Sequence, residues 1–154
     1  MIDAPVRLAL LGASSLFIVA LACGVWKFVS MSKSPTATAP AYVDIAHRAA
    51  LMYAFAAHLA AALVAFNDLP RSLMGYAIAV LLASFYMAIF SYILHGYLGD
   101  TDNQYRRPHA LGSLRLPKHF LPGLTWMKAV GEIGASALLF YGCVSYMFTH
   151  GGIW

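Results

Sequence analysis

Four long apolar runs with almost no charge inside them leave this 154-residue chain few places to fold other than a lipid bilayer. They extend over about 8–28, 45–66, 73–98 and 124–148, and a helix needs ~20 mostly apolar residues to cross the hydrocarbon core. The whole composition points the same way. With 61% hydrophobic and 10% charged residues, there is too little polar surface to coat a water-soluble globule. The expected fold is all-α, an integral membrane four-helix bundle forming one domain over 1–154, with loops at 29–44 and 99–123. The lipid bilayer is then its solvent, and the first run is expected to remain in the protein as a helix, since no clear small-residue cleavage site follows it.

The connectors carry the polar chemistry. Trp26 and Lys27 close the first run as an interface anchor, and a Ser-, Thr- and Pro-rich loop follows. Asp44 is expected to cap the second helix, whose many alanines, among them Ala50, Ala54, Ala57 and Ala61, allow close backbone approach in lipid and suit a central position. Residues 67–71 form a short connector, so the second and third helices pair as an antiparallel hairpin. Lys27, Lys33, Arg48, Arg106, Arg107, Arg115, Lys118 and Lys128 fall on the side of the two long loops; Arg7 and Arg71 fall opposite. The positive-inside rule then puts the long loops in the cytoplasm and the termini outside, as in a bacterial inner membrane protein. This placement accounts for the net charge of +4 as topology, with no nucleic acid partner. Cys23 and Cys143 lie in apolar runs and read as packing residues without a disulfide.

Ionisable groups at membrane depth are costly and therefore mark candidate sites. His47 opens the second helix. His58 follows eleven residues later on the same face, ~16 Å along the axis, too far for both to bind one metal ion. Hairpin geometry returns His95 to about the depth of His47, where the two can face each other across a cofactor or polar pocket. All three are candidate cofactor-binding residues, because neutral imidazole is a good haem ligand and a flat macrocycle fits between helices. The bland alternatives are headgroup contacts for His47 and an interhelical hydrogen bond for His58. Glu132 is the one acid within the fourth run, expected about 10 Å from the helix start, either paired with Lys128 one turn earlier or acting as a pocket acid. The tyrosines of the third helix, Tyr86 and Tyr92 among them, are expected mostly as interface-belt or packing aromatics. No P-loop, dinucleotide fingerprint, HExxH or nucleophile elbow is present.

The arrangement resembles the styrene oxide isomerase family of four-span bacterial membrane proteins. The resemblance rests on LACGVWKFV closing the first helix, Ala46 and His47 opening the second, GYAIAV early in the third, and a long Asn- and Arg-bearing loop before the last. It implies that His47 is the axial ligand of haem b, held between subunits of a trimer. It also implies that ferric iron acts as a Lewis acid on an epoxide oxygen, and that a 1,2-hydride shift turns the opened epoxide into an aldehyde. Where that family places an Asn about two turns after the histidine, this chain has Tyr53, whose hydroxyl the resemblance makes a candidate catalytic group, with Tyr92 or Tyr86 in the place of the family's pocket tyrosine. His58, His95 and Glu132 have no counterpart in the pattern.

Three functions are therefore open: a haem-dependent isomerase of a small apolar epoxide, acting as a homo-oligomer; a b-type electron-transfer or anchor subunit with haem between His47 and His95 or between histidines of two chains; and a cofactor-free accessory protein. A metal held by one histidine leaves a position for substrate, whereas two axial histidines do not.

Overall fold

The structure, a computed structural model, describes residues 2–150. Its four long helices are α1 (Ala4–Lys33), α2 (Ala41–Ala65), α3 (Arg71–Leu98) and α4 (Phe120–His150), and each is long and apolar enough to span a membrane. The protein is a multi-pass membrane protein with an all-α four-helix bundle. α2 and α3 form the central antiparallel pair, α1 packs on both, and α4 lies against α3 and more lightly against α2.

Every helix overruns its hydropathic stretch. Apolar residues stop near the headgroups, but backbone N–H and C=O groups still need partners there, so the hydrogen-bonded ladder continues into the interface. Proline marks three of the starts. Pro5 occupies the first turn of α1, where its missing N–H costs nothing, and Pro40 and Pro70 stand immediately before α2 and α3. α3 stops at Gly99, whose left-handed backbone lets its N–H reach the His95 carbonyl at 2.9 Å. The first loop shrinks to residues 34–40. Asp44 is thus not a cap but a first-turn residue of α2, bound to Lys27 at 2.5 Å and Arg48 at 2.7 Å. The second loop shrinks to 99–119 and contains a small antiparallel hairpin, β1 (Ala110–Leu111) with β2 (Leu114–Arg115), turned by Gly112 at φ 58°.

Small residues build the interior. Ala9, Ala13 and Ala20 of α1 are buried, as are Ala50, Ala54, Ala57 and Ala61 of α2, and Leu16 fills the centre. Large side chains such as Phe28, Phe55, Phe90 and Phe140 point outward, where acyl chains rather than water meet them. Cys23 is buried and Cys143 partly so; both thiols are free.

Named polar contacts close the two ends of the bundle. At one end the start of α1, the α2–α3 turn and the end of α4 meet through Arg71–Asp3 at 3.0 Å and His150–Asp68 at 3.6 Å. Asn67 is the clamp there: its amide donates to the Leu139 carbonyl of α4 at 2.8 Å and to Leu63 at 3.2 Å, while its oxygen accepts from the Leu69 N–H at 3.1 Å. Gly142 makes this docking possible, since a Cβ there would stand 2.1 Å from Asn67 Oδ1 and 2.6 Å from Leu69 Cγ. The other end holds the two longer connectors and is described below.

Asn67→Leu is expected to loosen α4 by ~1–2 kcal/mol, the range for an interhelical hydrogen bond in lipid. Gly142→Leu, which blocks the approach of the turn itself, is expected to cost more. Thermal or SDS denaturation of the protein in mixed micelles measures both, and a Gly142→Leu variant as stable as the parent contradicts the docking.

Candidate functional site

His47 sits where α2 crosses α1. Its Nδ1 lies 2.9 Å from the Ala20 carbonyl oxygen. A carbonyl only accepts, so Nδ1 carries the proton and Nε2 keeps its lone pair. Gly24 makes the socket: a Cβ at that position would stand 2.9 Å from His47 Cε1 and 3.1 Å from Nδ1. Its missing side chain uncovers the carbonyl one turn earlier and leaves the ring a place to lie. Nε2 has no hydrogen-bond partner among the described residues.

His95 is engaged differently. It is 2% exposed, lies 5.0 Å centroid to centroid from Tyr42, and its Nδ1 is 2.8 Å from Asp100 Oδ1. Asp100 Oδ2 accepts in turn from the Gly112 N–H at 2.6 Å, so one carboxylate ties the end of α3 to the hairpin turn. Burial alone would raise the Asp100 carboxyl, but the Gly112 N–H and the His95 ring together hold it below its ordinary value of 3.8. His47 turns to α1 while His95 turns to Tyr42 and the loop, so the two do not face each other across a pocket.

The 99–119 segment forms a lid on this end of the bundle. The Gln104 N–H donates to the Tyr42 hydroxyl at 2.6 Å, Ser91 Oγ donates to Gln104 Oε1 at 3.1 Å, and Tyr105 shares a hydrogen bond of 2.7 Å with Thr125 of α4. The lid is therefore pinned to α2, α3 and α4 at once. Its surface ion pair, Arg106 with Asp102 at 3.0 Å, is exposed and contributes little. His109 is buried under the lid; its Nδ1 faces the Gln104 carbonyl at 3.3 Å and its Nε2 has no partner among the described residues.

Tyr53 and Tyr92 pack among aromatic side chains of the α2–α3 pair. Tyr53 stacks on Phe85 of α3 with centroids 4.4 Å apart, and Tyr92 stacks on Tyr42 at 6.0 Å. Because α4 starts at Phe120, Glu132 lies ~18 Å from the helix start, and it forms no ion pair with Lys128. Gly131 brings α4 close to α3, where a Cβ would meet Val80 Cγ1 at 3.1 Å. Tyr86 instead hydrogen-bonds Ser15 of α1. His58 is exposed on the outer face of the α1–α2 seam and makes no interhelical hydrogen bond.

Tyr42, Ser91, Gln104 and Asn67 carry much of the polar architecture, and sequence reasoning passed over them. Their residue types are common in interfaces and loops, and only their partners, 62 positions away for Tyr42 and Gln104, reveal their work. Among the described residues, no group of three or more His, Cys, Asp or Glu side chains converges as around a metal ion held by protein alone. No known family model, curated protein or solved structure matches the chain.

The Asp100 clasp has a defined pH dependence. Its carboxyl is depressed in the fold, so its contribution is complete above the ordinary value of 3.8 and is lost as pH falls through the lower folded value. Asp100→Asn is expected to cost ~1.5–3 kcal/mol near neutral pH, the range for hydrogen bonds to a charged group, and to flatten the acid limb of the stability profile. Hydrogen exchange at Gly112, followed against pH, reads this directly; an unchanged acid limb in the variant contradicts the clasp.

Proposed function

We propose that this protein binds haem b through His47 and acts as a membrane isomerase of a small apolar epoxide. The observation that carries the reading is the His47 socket. Metal-bound histidines commonly donate their second ring N–H to a carbonyl or carboxylate, which fixes tautomer and orientation, and His47 has that arrangement with Ala20 while Nε2 keeps a free lone pair. One protein ligand is enough for an iron already held by a macrocycle, so the donor set fits the group. Bound in the ferric state, haem would supply a Lewis acid for opening an epoxide toward an aldehyde, the activity that the resemblance to styrene oxide isomerases suggests.

The residues of this chain would divide the work. Ala20 and Gly24 hold the His47 ring and its proton at Nδ1. Tyr53 packs on Phe85 of α3 and Tyr92 on Tyr42, and neither touches the His47 socket. By the resemblance the chain would act as a homo-oligomer, a trimer with haem held between its subunits. The basic residues clustered at the lid end support a cytoplasmic placement of both connectors in a bacterial inner membrane.

A b-type electron-transfer subunit with both axial positions taken from one chain is less favoured, because His95 is committed to Asp100 and Tyr42. The absorption spectrum of the purified protein tests the proposal. A Soret band is expected in the parent and lost in His47→Ala with helicity retained. Gly24→Val, which crowds the ring without removing the ligand, is expected to weaken haem retention by ~10–100-fold. No Soret band in the parent sinks the haem reading in favour of a cofactor-free accessory role. Retention in His47→Ala moves the ligand to another histidine.

A further inference from the structure

Three turns along α2 from His47, the seam between α1 and α2 opens into a groove of about 310 Å³ lined by Ala13, Ser14, Phe17, Ala54, Phe55 and His58. It lies ~16 Å from the level of His47, well inside the span, and the exposed rings of Phe17 and Phe55 form its rims. Its lining is predominantly hydrocarbon. Ala13 and Ala54 leave the recess because neither side chain extends beyond Cβ.

Two polar side chains interrupt this surface, and neither is satisfied by the protein. His58 and Ser14 are exposed and form no hydrogen bond with any described residue, whereas the adjacent Ser15 donates to the Leu11 and Gly12 carbonyls of its own helix. Water would make this unremarkable, but the groove faces lipid tails that offer neither donor nor acceptor, and an unsatisfied polar group there costs several kcal/mol. A neutral imidazole always has one N–H to donate, and a serine hydroxyl has another. The missing partner is therefore an acceptor carried by something as apolar as the rest of the groove.

We propose that this groove binds a small, neutral, mostly hydrocarbon molecule bearing a hydrogen-bond-accepting oxygen, a ketone or ether, taken laterally from the bilayer with His58 and Ser14 as donors. The volume accommodates one or two rings. A phospholipid carries its acceptor oxygens at the membrane interface and not at this depth, and a charged ligand finds no charged side chain in the lining. The site stands apart from the His47 socket and does not depend on haem.

Benzophenone is a suitable probe, since it is an apolar ketone that inserts into neighbouring C–H bonds when irradiated. Labelling of the full protein in nanodiscs, mapped by mass spectrometry, is expected to saturate and to fall within residues 13–17 and 54–58. His58→Leu is expected to weaken half-saturation by about tenfold, the loss of one hydrogen bond in lipid. His58→Gln, which keeps a donor, is expected to restore most of it, and Ser14→Ala to weaken it in the same direction as His58→Leu. Diphenylmethane, similar in shape but without the oxygen, is expected not to compete. Diffuse labelling that never saturates, unchanged labelling in His58→Leu, or equal competition by diphenylmethane overturns the proposal. So does efficient cross-linking of His58→Cys into dimers, which would give the groove to a second copy of the chain.

Discussion

Inside a bilayer no water is available to satisfy a polar group, and the organisation of this bundle follows from that constraint. Backbone groups are paired within helices that continue past their apolar stretches. Side-chain polar groups are drawn to the two ends, where Asn67 and Asp100 each bind several partners at once. Asn67 joins three elements through one amide, and Asp100 joins the end of α3 to the hairpin through both carboxylate oxygens. What remains unsatisfied between the ends is then informative: Nε2 of His47, the Ser14–His58 pair and Glu132.

The packing of α1 on α2 is set by small residues. In lipid the hydrophobic effect no longer separates helix from surroundings, so contact depends on how closely backbones approach. Alanine on both α1 and α2 allows that approach, and glycine is used where even a methyl group would collide, as at Gly24 against the His47 ring and Gly142 against the Asn67 turn. Both glycines serve polar contacts. Close packing and polar satisfaction are thus one device at these positions.

The lid illustrates why part of the site is hard to read from the chain. Its exposed Arg106–Asp102 ion pair is peripheral. The lid is held by neutral bonds from the Gln104 N–H to the Tyr42 hydroxyl and from the Ser91 hydroxyl to the Gln104 side chain, together with the His95–Asp100 pair. Residue type indicates what a group is able to bond. It does not indicate which of several distant partners folding will bring to it.

Hydropathy by itself determined the number of spans, their order, the α2–α3 hairpin and the segregation of basic residues to one end, because the cost of burying charge in lipid depends on composition and length alone. It also singled out His47, His58, His95 and Glu132 as groups needing a reason to be there. Only the tertiary structure decided their surroundings. It turned His47 onto an α1 carbonyl, committed His95 to Asp100, left His58 exposed on the outer face of the bundle, and stacked Tyr53 on Phe85 and Tyr92 on Tyr42. Those outcomes depend on helix rotation and on contacts across tens of residues, and apolar periodicity constrains neither strongly when lipid covers the outside of the bundle.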